Sequence, residues 1–409
     1  MRLSRTVAEA RKPGADRHST LKGGFPRRHP VVVVALALGA LGLLLSLLLG
    51  LQAIGGGQPA ASAGRPALPQ TEGPLVVYSE FGQTADTLWA ADPNDPTNRA
   101  QIALVEHAWG FGIFPSLSPD GAHIAYTVLP AGGGQDGSDA RAELWLLETA
   151  TGERTRLAQD IDLLSTPVWS PDSASMVVRR SQWQDGAGGS ASLLRIDLAG
   201  AATEVAAADA GLYPIDFSPD GAWLYYAVLS PSGTDLARAP TVGSETETLA
   251  HLSDGVARDW HLSPDGTRLA YLAQTPKGAE TTFAAEVLHL ATGTVQTPLA
   301  GAAVAQFGPA WERDGSLTIG RLDSDGPVRL SAGGTRLSEA LPAPPPGGGF
   351  DVPLSWSPDG TYLAVRGFQD SSLADPGPSW VMVVSRDGAR RQLSPLSDVV
   401  VAGWLEVSE

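Results

Sequence analysis

The 409-residue chain contains no cysteine. Disulfides, thiolate nucleophiles and cysteine-ligated zinc are therefore excluded, and a place outside the cytoplasm would have to be held without cross-links. Histidine is also scarce. Of seven, His18 and His29 lie near the N-terminus, and His107, His123, His251, His261 and His289 form no HExxH pattern or paired spacing. No GxSxG nucleophile elbow appears, and no α/β pattern that could carry one. Nothing in the sequence calls for a cofactor or a resident metal. The segments "DPNDPTN" and "QDGSDA" lack the bidentate glutamate of a calcium loop and read as solvated turns. Positive charge is in short supply, with 28 Lys+Arg against 44 Asp+Glu and a formal net charge of −16. Eight of the bases and two of the acids fall in the first thirty residues, so the remainder carries −22. Such an acidic body repels phosphate backbones, which argues against a nucleic-acid partner.

Long apolar runs are absent except for one. Residues 31–54, "VVVVALALGALGLLLSLLLGLQAI", carry no charge. As a helix they span about 36 Å, enough for a hydrocarbon core of roughly 30 Å. The basic tail 1–30 before them keeps the N-terminus cytoplasmic by the positive-inside rule. The sequence therefore predicts one transmembrane helix, with all that follows on the outer side of the cell membrane. A signal peptide cleaved near Ala63 is the alternative, although the run is longer than a usual signal core. Gly42, Ser46 and Gly50 share one face of that helix at a spacing compatible with weak dimerisation. Residues 55–73 are rich in Gly, Ala and Pro and read as a flexible tether.

Glycine (47) and proline (32) are plentiful, and they recur in a pattern. "LSPDGAHIAYTV" at Leu117 returns as "WSPDSASMVV" at Trp169, "FSPDGAWLYYAV" at Phe217, "LSPDGTRLAYLA" at Leu262 and "WSPDGTYLAV" at Trp356, with "WERDG" at Trp311 as a sixth, altered copy. Each copy has an alternating run before the turn, a second after it, and then a hairpin. Period-two alternation punctuated by Gly, Pro and Asp predicts short antiparallel strands. The turn aspartates are Asp120, Asp172, Asp220, Asp265, Asp314 and Asp359, at intervals of 52, 48, 45, 49 and 45. Their recurrence in every unit marks them as structural, since catalysis needs a group once. A period near 48 with four strands per unit predicts a β-propeller. The segment from Pro74 has the later strands of a unit but no approach strand, whereas the last residues, "VVVAGWLEVSE", form an approach strand alone. Pairing the two supplies a seventh blade and closes the ring. The fold expected is thus all-β, a seven-bladed propeller of four-stranded antiparallel blades over 74–409, preceded by one transmembrane helix.

This repeat, W-S-P-D-G followed by an "IAY"-like strand and a hairpin, resembles the TolB-type repeat of exported bacterial propellers and is similar to the propeller of dipeptidyl-peptidase-IV-type enzymes. The resemblance covers nearly all of 74–409 and implies the fold. It implies little about activity, since such propellers serve as scaffolds, ligand-binding modules and enzymes.

If the ring binds something, the ends of the innermost strands remote from the SPDG turns are the place for it. Phe114, Thr166, Tyr213, Arg258, Asp259, Phe307 and Asp351 would ring that channel mouth, beside long loops such as "RSQWQDGAGGSAS" and "AQTPKGAETTFA". Aromatic rings beside one Arg and two Asp suit a peptide or a glycan. A plain water-filled channel is the bland alternative. The function expected is a membrane-anchored, extracytoplasmic, non-enzymatic scaffold for an envelope protein, peptide or glycan. The alternative is a carbohydrate- or peptide-active enzyme working in the channel mouth.

Overall fold

The computed structural model describes residues 67–406, apart from 133–140, 185–186, 244, 278–279, 302–304, 323–325, 338–340, 342–343, 345–348, 371 and 373–374. The expected apolar helix, its Gly42/Ser46/Gly50 face and the basic tail lie outside the described residues.

Twenty-seven strands make seven antiparallel sheets, with no α-helix among the described residues. The first sheet contains β1 (Leu75–Glu80), β2 (Ala85–Ala91) and β3 (Arg99–Glu106). Five sheets follow in sequence, opening on β4 (Phe114–Leu117), β8 (Val168–Trp169), β12 (Gly211–Phe217), β16 (Ala257–Leu262) and β20 (Gln306–Trp311). The seventh opens on β23 (Asp351–Trp356), and β27 (Val399–Leu405) then returns to pair with β1. The register runs from Leu75 opposite Leu405 to Glu80 opposite Val399, so the two ends of the described chain share one blade. The sixth sheet has three strands among the described residues, and one bridge between Leu330 and Arg336 stands where a fourth would lie. In the third and fifth blades the expected long loops are instead strand extensions. β9 (Ser175–Gln184) and β10 (Ala187–Asp197) pair out to Gln184, and β17 (Arg268–Lys277) with β18 (Glu280–His289) out to Lys277. Ladder hydrogen bonds satisfy the backbone better than loops would.

The turns explain why the aspartate recurs. The Ser118 hydroxyl donates to Asp120 Oδ1 at 2.6 Å, which also accepts the Ala122 N–H at 3.0 Å. Ser118 Oγ in turn accepts the His123 N–H at 2.9 Å. Ser170/Asp172, Ser218/Asp220, Ser263/Asp265 and Ser357/Asp359 repeat the arrangement. The Ser170 hydroxyl and the Ala174 N–H hold the Asp172 carboxyl below its ordinary value. Ser173 takes the position of the usual glycine at φ 59°, a left-handed conformation that costs a side-chain-bearing residue stability. Its hydroxyl accepts the Asp120 N–H at 3.1 Å, a contact with the preceding blade that glycine could not make. In the altered copy Glu312 replaces the serine. Arg329 grips it with two hydrogen bonds of 2.8 Å, and Arg386 of the last blade reaches it as well. Both Arg329 and Glu312 are buried within the sixth blade, and it is Arg386 that joins this pair to the seventh.

Between blades the core is apolar. Ile124, Tyr126 and Val128 pack against Leu75, Val77 and Leu88 of the first blade, and Trp169 packs into the blade before it. Trp169 donates to the Ser116 carbonyl at 3.2 Å, Trp311 to the His261 carbonyl at 2.8 Å and Trp404 to Ser355 Oγ at 3.1 Å. Each ties its innermost strand to the previous one. Gly308 and Gly320 mark where the sixth and seventh blades come closest: a Cβ on either would stand 2.6 Å from the carbonyl oxygen of Pro353 or Asp351 respectively.

Candidate functional site at the channel mouth

Five of the seven innermost strands carry one extra residue within the strand. The bulges fall at Ala402, Ile215, Asp259–Trp260, Gly308–Pro309 and Leu354. A bulge re-aims the side chains beside it. In β16 it is formed with Asp259 at φ 54°. Arg258 then faces the sixth blade, while Trp260 turns back toward the fourth.

The structure separates the seven expected mouth residues. Phe114 opens β4 half-buried and Thr166 is exposed on the loop before β8. Phe307 is buried in a stack, 4.6 Å from Phe350, which lies 4.8 Å from Phe368. Asp351 is buried and takes two hydrogen bonds of 2.7 Å from Arg390. The Phe307 stack joins the sixth blade to the seventh, whereas the Asp351–Arg390 pair lies within the seventh. Tyr213, Arg258 and Asp259 remain over the third to fifth blades. There Tyr213 meets Trp260 with ring centroids 6.1 Å apart, and the Arg179 guanidinium lies 4.4 Å above the Tyr213 ring. Asp162 orients Arg179 at 2.5 Å while accepting the Ser181 N–H and hydroxyl. Arg258 lies 4.3 Å over the Phe283 ring and 3.7 Å from the Asp259 carboxylate, and among the described residues its side chain makes no hydrogen bond.

Arg179, Asp162, Trp260 and Phe283 were not legible as site residues. One signal was present: Arg179, Arg321 and Arg366 each lie seven residues after a turn aspartate, at one repeat position. From it Arg366 donates to the Ser397 and Val399 carbonyls at 3.2 and 2.7 Å, pinning the approach to β27. In the second blade Thr127 does the same to the Leu163 carbonyl at 2.7 Å.

Three donors at the mouth find no acceptor among the described residues. Arg258 Nε and Trp260 Nε1 are both buried atoms without a hydrogen-bond partner, as is Arg180 Nε at the mouth end of the third blade. A buried unsatisfied donor costs about 1–3 kcal/mol. Deeper in the channel, Asp216 and His261 occupy matching places on β12 and β16. Burial pushes the Asp216 carboxyl up to about 7 against the opposing Phe217 N–H. Burial likewise pushes His261 down, against the charge of Asp259. The residue is nonetheless exposed along the channel. Among the described residues no three His, Asp or Glu side chains are placed to hold a metal ion.

The opposite face differs. Leu68, in the described end of the tether, packs against the first core cluster. Beside it lies a polar hollow of about 360 Å³ lined by Thr71, Glu72, Asp92, Asn94, Asp359 and Tyr362.

No protein-family model matches the chain, and no curated protein does. Solved structures match it in fold. The β-propeller domain of the Trilobed protease from Pyrococcus furiosus, described as having an open velcro topology, matches over 82% of this chain and 100% of that one at 15% identity, TM-score 0.53. The acylaminoacyl peptidase of Pyrococcus horikoshii matches over 81% and 52% at 15% identity, TM-score 0.54. TolB from Acinetobacter baumannii matches over 68% and 63% at 17% identity, TM-score 0.45. The chain spans about half the length of the peptidases it matches. It is a seven-bladed propeller with TolB and peptidase propellers among its fold neighbours.

Proposed function

We propose that this protein is a non-enzymatic binding module whose ligand seats at the channel mouth over the third to fifth blades. The observation that carries this reading is the pair of buried donors without acceptors, Arg258 Nε and Trp260 Nε1. The turn face receives the tether, and its repeated Ser/Asp pairs are hydrogen-bonded within each turn. Buried donors left open cost stability, and a ligand supplying acceptors would recover it. The apolar segment 31–54 anchors the module in the cell membrane with its N-terminus cytoplasmic. Because β1 starts at the turn face, that tether leaves the mouth pointing away from the bilayer, toward partners in the extracytoplasmic space.

The test is to screen the full-length chain in detergent micelles against a peptide and glycan library and recover the ligands by mass spectrometry. The reading expects intact ligands whose binding is lost on Trp260→Phe, which removes the donor and keeps the ring. Cleaved ligands, or binding indifferent to Trp260, would overturn it.

A further inference from the structure

The mouth carries a second, apolar feature. Of the six large apolar side chains that stand exposed among the described residues, four belong to this face: Trp109 (68%), Leu164, Leu396 and Val400. The first three lie on the loops leading into β4, β8 and β27, and Val400 lies in β27 itself. They form an arc over the first three blades. The arc continues into the arginines of the third and fifth blades, Arg180 and Arg258. Among the described residues Arg180 has no ion pair or hydrogen bond from its side chain, and Arg258 has only the carboxylate at 3.7 Å. Partly buried guanidinium groups, one without a carboxylate and one with a single carboxylate at 3.7 Å, are unexpected on a body carrying −22.

Ligand chemistry follows from what the arc offers and what it covers. The open polar groups are N–H donors, so the ligand brings acceptors, and guanidinium forks match carboxylates best. A sugar would stack on a bare aromatic face, which Trp109 alone offers among these exposed side chains. One face of Tyr213 is covered by Arg179 and one of Phe283 by Arg258. The exposed leucine, valine and tryptophan instead suit aliphatic and aromatic side chains. Resting on the binding reading above, we infer that the mouth takes an extended peptide segment of a partner protein that is both acidic and apolar. Its apolar residues lie over Trp109, Leu164 and Leu396, and its carboxylates seat on Arg180 and Arg258.

Fluorescence anisotropy with the full-length chain tests this with labelled peptides of equal length. One combines Leu, Phe and Glu; a second replaces Glu by Gln; a third replaces it by Lys. The acidic peptide should bind about tenfold or more tighter than the Gln analogue, the value of one charge-assisted hydrogen bond. Arg258→Gln and Arg180→Gln should each remove about that factor, and Trp109→Ser should weaken all peptides that bind. Raising salt from about 0.05 to 0.5 M should weaken the acidic peptide most, a readout that needs no variant to fold. Equal binding of the Glu and Gln peptides, preference for Lys, or tighter binding of an oligouronate would overturn the inference. In those cases a Trp260-dependent ligand would leave the binding reading standing, whereas no mouth-dependent ligand at all would sink both.

Discussion

Two arginines allow the mouth to be separated from the frame by stability alone. Arg329 and Glu312 are buried and share two hydrogen bonds of 2.8 Å. Replacing Arg329 by Gln leaves a buried carboxylate held only by Arg386, and breaking such a pair costs about 3–5 kcal/mol. Arg258 presents the opposite case. Its half-exposed ion pair with Asp259 is worth about 0–1 kcal/mol and its place over Phe283 about 0.5–1. Its unpartnered Nε costs about 1–3 kcal/mol, so Arg258→Gln should fall within about 1 kcal/mol of neutral. At about 2.1 cal/mol/K per residue, unfolding a ring of roughly 340 residues carries about 0.7 kcal/mol/K. Calorimetry should therefore show Arg329→Gln lowering the melting temperature by about 4–7 °C and Arg258→Gln changing it by about 1–2 °C or less. If Arg258→Gln fell as far as Arg329→Gln, the mouth guanidinium would be a structural group. The case for an open binding site would then lose its basis.

Two further outcomes concern titration. Asp216 has a folded pKa raised to about 7 from 3.8, so it destabilises the ring increasingly as pH rises between those values, by at most roughly 4 kcal/mol. Asp216 is only half-buried, so solvent screening lowers that figure. Asp216→Asn should thus be more stable than wild type in urea melts at pH 8 and indistinguishable from it near pH 4, and an equal gap at both would contradict the assignment. His107 is buried with Nε2 2.9 Å from Asp86 and Nδ1 2.8 Å from the Ala108 carbonyl. Burial works against its charge, but these two acceptors outweigh it and hold its pKa above the ordinary value. That stabilisation is complete below the unfolded value and is lost as pH rises through the folded one. His107→Gln should therefore cost about 3 kcal/mol or more at pH 6 and clearly less at pH 9; a pH-independent cost would show a neutral imidazole.

The frame was legible because it is written in repeated chemistry. Turn aspartates at intervals near 48 announce blades, and tryptophans such as Trp169 and Trp404 announce the gaps between them. The partial blades at Pro74 and Val399 point to the pairing that the structure forms between β1 and β27. The mouth was poorly legible for equally physical reasons. Which gap a side chain enters depends on bulges, and one residue at Asp259 decides that Arg258 and Trp260 face opposite blades. Asp351 looked available because its partner, Arg390, lies 39 residues away. Glu312 carried a readable sign, an acid in a serine position, whose meaning needed Arg386 from the next blade.

Everything at the mouth depends on a ring held shut by its own ends. Because the chain has no cysteine, one engineered pair reports on this without background. Ser79 and Val400 stand opposite one another in the β1–β27 ladder, within the reach of a disulfide between facing antiparallel residues. The double variant Ser79→Cys/Val400→Cys, mildly oxidised, should form an intramolecular disulfide in nearly every molecule, seen as a faster band on a non-reducing gel. Two free thiols in the folded, oxidised protein, or cross-links only between molecules, would contradict the closed ring.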